Sequence, residues 1–198
     1  EIALQQAIDY YDSVINNDIS RVDNVKRNPE KTKRLLRSYA RSIGTQSKIS
    51  SLSQDVNPSG DSEIASNPTI MDYIEALKKI FVLEDSRAWN PNLRSKTAIR
   101  TSDTRYFTDP SIAAAAMELG PDDLINDLNT MGFFFENLCI RDLRIYADAL
   151  DGTVYHYRDK NGLECDAVIH LRGGAYGLAE IKLGGEKLIQ EGIATLNK

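Results

Sequence analysis

Toward the carboxy end, alternating apolar and polar segments are separated by stretches too short for a crossover, Asp159-Lys160-Asn161-Gly162 and Arg172-Gly173-Gly174. A parallel connection needs about a dozen residues or more. Thr153 to Arg158, Leu163 to Leu171 and Ala175 to Leu183 are therefore predicted to form an antiparallel meander. Side chains alternate along a strand, so Glu180 and Lys182 share one face of the last segment. Whether Asp166 joins them depends on a single residue of register. A turn of Gly173-Gly174 alone sets Asp166 opposite Ile181, on the wrong face. A turn over Arg172 to Gly174 pairs Leu171 with Ala175 and sets Asp166 opposite Glu180. Glycine at the last loop position suits the left-handed residue of that longer turn, which is the prediction.

A helix is predicted over Phe133 to Leu150. At about 100° per residue, Phe135, Cys139, Ile140, Leu143, Tyr146 and Leu150 fall within one arc, and Glu136 lies inside it. A glutamate on an apolar face needs a partner or a task; the plainer reading is an edge-of-core residue whose head reaches water or an arginine. With the longer turn, Glu136, Asp166, Glu180 and Lys182 become candidate catalytic residues. Carboxylates brought together raise one another's pKa unless a cation offsets them. Mg²⁺ or Mn²⁺ is the expected cofactor, because it needs only one or two carboxylates beside waters and phosphate oxygens. Asp166, Glu180 and the carbonyl of Ile181 are the candidate ligands, and Lys182 would orient or help deprotonate the attacking water. A Glu-x-Lys on an amphipathic strand is common, so only the combination points to phosphodiester hydrolysis. His156 and His170 read as core or surface histidines, and Cys139 and Cys165 as reduced thiols.

Upstream, Glu1 to Asn17 reads as a connecting or lid helix. Lys31 to Ile43 reads as an amphipathic helix with Leu35, Leu36, Tyr39, Ala40 and Ile43 inward and arginines outward. Thr45 to Gln54 is a short second helix, and a third runs to Ile80 with Ile70, Tyr73, Ile74 and Leu77 on one face. Ile80 to Trp89 and Thr97 to Phe107 then read as strands around Asn90-Pro91-Asn92, with Trp89 at their base. Helices followed by a basic hairpin outline a winged helix-turn-helix over residues 29–110, between a connecting helix at 1–28 and a second domain at 111–198.

The net charge of -5 excludes a uniformly basic coat, yet basic residues cluster. Lys33, Arg34, Arg37, Arg41 and Lys48, with Arg87, Arg94 and Lys96 near the hairpin tip, are the candidate contacts to DNA phosphates. The proposed recognition helix argues less well, since it offers Asp72 and Glu75 beside Lys78 and Lys79. Protein docking is the alternative role. No apolar run approaches a membrane span and nothing at the amino end resembles a signal peptide, so a cytoplasmic protein is expected.

The motifs Gly132-Phe133-Phe134-Phe135-Glu136-Asn137, Gly162-Leu163-Glu164-Cys165-Asp166 and Ala179-Glu180-Ile181-Lys182 resemble the DUF4143 region of prokaryotic AAA-type ATPases. More broadly they resemble the PD-(D/E)XK nuclease-like fold. Leu36-Arg37-Ser38-Tyr39-Ala40-Arg41 and Arg105-Tyr106-Phe107-Thr108-Asp109-Pro110 extend the resemblance over most of the chain from Pro29. It implies an α+β / α/β chain in which a winged helix precedes a nuclease-like domain with a small central sheet flanked by helices. It also implies an amino-terminal ATPase domain, the only place where ATP would bind, because this sequence has no G-x-x-x-x-G-K-[ST]. The start at Glu1 and the stop at Lys198, each inside a helical pattern, fit a piece of such a protein, truncated in its last domain. DNA, the ATPase domain and a second copy of the chain are the expected partners. Two functions stay open: a DNA-associated, Mg²⁺-dependent endonuclease, or a catalytically inactive module that mediates docking or oligomerisation.

Overall fold

Helix starts are set by local chemistry. The Asn28 side chain accepts from the backbone N–H groups of Glu30 and Lys31, and Pro29 occupies the first turn. Ser66 does the same for Thr69, Asp109 for Ser111 and Asp127 for Thr130. A computed structural model describes residues 2–57, 64–92 and 101–197. Its first half contains α1 (Ile2–Ser13), a π-helical turn (Val14–Asp18), α2 (Ile19–Arg21), α3 (Pro29–Arg41), α4 (Ile49–Val56) and α5 (Asn67–Lys79). Then follow α6 (Pro110–Ala116), α7 (Pro121–Asn126), α8 (Leu128–Asp148), β1 (Gly152–Arg158), β2 (Glu164–Leu171), β3 (Tyr176–Ala179) and α9 (Glu186–Leu196). No described helix is long and apolar enough to cross a membrane.

One apolar core runs from the helical half into the second, where Phe134, Ile140, Ala147, Val154 and Ala167 join it. Leu35, Leu36, Tyr39, Ala40 and Ile43 are buried as their spacing predicts, and so are Ile70, Tyr73, Ile74 and Leu77. Val14, Ile15 and Ile19 join them, so the first helical segment is part of this core. A charged cluster closes one edge: Asp85 lies 2.6 Å from Arg105 and 3.1 Å from Lys78, and it also accepts from the Tyr39 hydroxyl. The expected hairpin forms only as isolated antiparallel bridges among the described residues, Leu83 with Phe107 and Ser86 with Thr104. Arg94 and Lys96 lie outside the described residues.

The sheet has the order β1-β2-β3 with both pairs antiparallel. Val168 faces Leu178 and His170 faces Tyr176. Leu171 then donates its N–H to the carbonyl of Ala175 at 2.8 Å, and Gly174 has φ +91°. The turn is therefore Arg172 to Gly174, as its last glycine predicts.

The sheet departs from expectation elsewhere. β3 ends at Ala179 rather than Leu183, because the Asp166 carboxylate accepts the Ile181 N–H at 2.7 Å and takes the place of a ladder bond. Between β1 and β2 the register slips: Tyr155 faces Val168, but Tyr157 faces Cys165. His156 alone thus stands against Asp166 and Ala167, the arrangement of a bulge, which re-aims side chains and strengthens local twist. The His156 backbone is paired with the first half instead, donating to the Arg87 carbonyl at 2.9 Å and accepting from the Trp89 N–H at 2.7 Å.

The expected apolar arc of α8 is also corrected. Its buried residues are Phe134, Asn137, Ile140 and Ala147, whereas Tyr146 and Leu150 are each 66% exposed. The buried stripe centres on a polar residue. The Asn137 amide donates to the Phe107 carbonyl at 2.7 Å and accepts the Phe107 N–H at 2.9 Å, imitating a strand partner.

Candidate functional site

Glu136 projects from the first half of α8, Asp166 from the register slip in β2, and Glu180 and Lys182 from the segment just beyond β3. The Lys182 ammonium lies 2.7 Å from Glu180 Oε1 and 3.7 Å from Asp166 Oδ2. Asp166 Oδ2 also holds the Ile181 N–H, so the Glu-x-Lys backbone is tied directly to the aspartate. Glu136 and Asp166 line one cavity of about 260 Å³, walled by Gly44, Thr45, Gln46 and Tyr106 from the first half. The Tyr106 hydroxyl donates to Glu136 Oε1 at 2.5 Å. α9 lies across the other side of the cluster: a Cβ on Gly192 would stand 3.2 Å from Glu180 Cγ. The side chains of Glu180, Asp166 and Lys182 remain 9%, 18% and 33% exposed. Access therefore increases from the glutamate to the lysine.

The electrostatics follow from this crowding. Burial and then the charge of Asp166 push Glu136 up to about 7, against the opposing pull of the Tyr106 hydroxyl and Lys182. Burial raises Asp166 as well; the Ile181 N–H counters this, and Glu180 adds to it. Burial works against the charge of Lys182, but Glu180 and Asp166 outweigh it and hold the ammonium above its ordinary pKa. Burial and Glu136 together keep Tyr106 protonated far above neutral pH. The cluster is thus short of positive charge at its Glu136 end.

Its fit to a metal rests on the donor atoms. Among the described residues, no group of three or more His, Cys, Asp or Glu is placed to hold a metal ion by protein ligands alone. However, Glu180 Oε2 is buried without a hydrogen-bond partner beside Asp166 and Lys182. One or two carboxylates suit Mg²⁺, which keeps most of its waters. The residues fit a largely hydrated cation and not a fully protein-ligated one.

Three contributors escaped the sequence reading. Tyr106 lies inside a motif quoted for its resemblance, yet its partner stands thirty positions away. His156 is 3% exposed and lines the same cavity. Its Nδ1 faces the Ser86 carbonyl at 2.8 Å, which fixes the proton there and leaves Nε2 without a partner. Burial lowers its pKa, favouring the neutral ring. Gly44, shortly beyond the end of α3, adopts φ +69°. It also presses on the site: a Cβ there would lie 2.9 Å from Phe133 and 3.0 Å from Glu136 Oε1. Gly44→Ala is expected to cost about 1–3 kcal/mol in urea unfolding, from left-handed strain plus that contact. An unchanged unfolding midpoint would show that the loop yields freely.

Of the basic candidates, Lys33, Arg37 and Arg41 form an exposed row on α3, and Lys48 and Arg87 are exposed too. Lys33 lies 3.9 Å from Glu118, and Arg34 Nη1 donates to the Val56 carbonyl at 3.5 Å. Arg41 and Lys48 flank in sequence the Gly44-Thr45-Gln46 segment that lines the cavity. Of the two histidines, His170 stands apart from the carboxylates' chemistry, its ring 6.3 Å from that of Trp89. Trp89 itself packs on the sheet, 4.8 Å from Tyr176, and so joins the halves.

Comparison with known proteins adds family membership. Residues 2–123 match the model of a domain of unknown function, DUF8612. Residues 131–197 match that of a second domain of unknown function, DUF4143. No curated protein and no solved structure matches the chain.

Proposed function

The chain belongs to the DUF8612 family, and we propose that its DUF4143 region is a divalent-cation-dependent phosphodiesterase site, of PD-(D/E)XK nuclease-like type, that acts on DNA. The observation that carries this reading is the convergence of Asp166, Glu180 and Lys182 beside the Glu136 cavity. Asp166 and Glu180 would hold Mg²⁺ or Mn²⁺, with the Ile181 carbonyl as a further donor. A bound cation of this kind neutralises charge that develops on phosphate oxygens. Lys182 positions a water through its ammonium. Glu136, titrating at about 7, can take up a proton near neutral pH.

In the same reading residues 29–110 act as a winged helix. Lys33, Arg34, Arg37, Arg41, Lys48 and Arg87, with Arg94 and Lys96, lie along the phosphate backbone. An ATPase domain is the amino-terminal neighbour, and the cytoplasm is the compartment.

The test is a Mg²⁺ and Mn²⁺ titration of the protein with plasmid and branched DNA. Cleavage should require the metal, and Asp166→Ala should slow it about 100-fold or more. Arg37→Ala should weaken DNA binding on all sequences alike, and affinity should fall steeply with salt. Absence of metal-dependent cleavage by the unmodified protein defeats the catalytic reading. A second reading, an inactive docking or oligomerisation module, is favoured by the closure of Gly44 over Glu136 and by the neutralisation of Glu180 by Lys182.

A further inference from the structure

A second cleft, of about 500 Å³, opens between the halves and is lined by Glu84, Arg87 and Thr108 on one side and by Arg141, Arg144 and Asp148 on the other. Its size is that of a small-molecule site. Arg144 is the unusual member. Its side chain is only 13% exposed, and neither Nη1 nor Nη2 has a hydrogen-bond partner. A guanidinium carries five N–H donors and cannot shed its charge, so leaving it covered and unbonded is costly. Its ion-pair partner, Glu84 Oε2, stands 3.6 Å from Nη1, beyond hydrogen-bond range, on a side chain that is 53% exposed. Thr108 lines the same cleft, and its buried hydroxyl is also without a partner.

The neighbouring charges do not satisfy Arg144. Asp85 is held by Arg105 at 2.6 Å and Lys78 at 3.1 Å. Arg141 is engaged with Asp142 at 2.9 Å and Asp109 at 3.5 Å. Arg87 is exposed and lies over the Tyr155 ring, 5.5 Å from its centre, so the buried unmet demand is that of the Arg144 guanidinium. A planar fork of donors matches the oxygens of a phosphate. We propose that this cleft binds a phosphate group, free or as the end of a small ester, with Arg144 as its principal donor and Thr108 as its second. Glu84 stands in for the ligand's oxygens and swings out when the anion enters. The cleft shares no lining residue with the Glu136 cavity, although the Arg144 guanidinium carbon lies 5.6 Å from the centre of the Tyr106 ring that borders that cavity.

Inorganic phosphate and glycerol 3-phosphate, titrated calorimetrically at constant ionic strength in EDTA, test this without contribution from a metal-held anion. The protein should bind at least one of the two saturably. Tighter binding of glycerol 3-phosphate assigns the site to an ester, and equal or tighter binding of inorganic phosphate assigns it to the free ion. Arg144→Gln should weaken binding at least tenfold and Thr108→Val about threefold, whereas Glu84→Gln should tighten it several-fold by removing the competing carboxylate. Glu136→Gln should leave it unchanged. Circular dichroism of each variant separates loss of the site from loss of the fold, and Thr108→Val and Glu84→Gln carry the test if Arg144→Gln unfolds. No saturable binding of either probe, or Glu84→Gln binding no tighter than the unmodified protein, overturns the proposal.

Discussion

Glu136→Gln is expected to raise stability by about 3 kcal/mol at pH 8 and to leave it nearly unchanged at pH 4. In the unfolded chain this carboxyl ionises near 4.5, and in the folded protein only at about 7. Below pH 4.5 both states carry the proton and no penalty exists. As pH rises from 4.5 to 7 the unfolded state releases its proton first, so stability falls. Above 7 the loss is complete, and the gap at 1.36 kcal/mol per pH unit is about 3 kcal/mol. Glutamine keeps the shape and the oxygen that accepts from Tyr106, but it carries no charge to desolvate. Urea unfolding of both proteins at the two pH values measures the difference. Equal destabilisation at both would mean that the carboxylate is well accommodated after all. An acid that weakens its own fold near neutral pH is what a functional group in a covered site looks like.

Asn137→Ala should produce the largest loss, about 2–6 kcal/mol. Asn137 is 0% exposed, and its amide satisfies both the N–H and the carbonyl of Phe107. Alanine leaves two buried backbone groups without partners, at about 1–3 kcal/mol each. Asn137→Asp is no rescue at pH 7, because it removes the donor and buries a charge opposite a carbonyl. Because Phe107 belongs to the first half and Asn137 to α8, loss of this pair also loosens the seam that carries Tyr106 to Glu136. Accelerated hydrogen exchange at the Phe107 amide in Asn137→Ala would locate the damage there, and protection equal to that of the unmodified protein would place it elsewhere.

Features that depend on neighbouring residues were legible. The inward faces of α3 and α5 follow from apolar spacing, and every residue assigned to them is buried. The turn after β2 was legible because Gly174 accommodates a left-handed residue. Features that depend on distant partners were not. The stripe on α8 was misjudged because its centre, Asn137, is polar and earns its burial only by meeting Phe107. β3 ends early because Asp166 takes the Ile181 N–H, and the slip opposite His156 exists because the first half pairs with its backbone.

The chemical inventory, the inward faces of α3 and α5 and the register that sets Asp166 toward Glu180 can all be read from the order of residues alone. Each follows from the alternation of side chains or the conformational range of a single residue. Only the tertiary structure decided that Glu136 meets Tyr106 under the Gly44 loop and that Arg144 lies covered without a hydrogen bond. Burial and proton affinity are properties of what surrounds a group, and here those surroundings come from segments far apart along the chain.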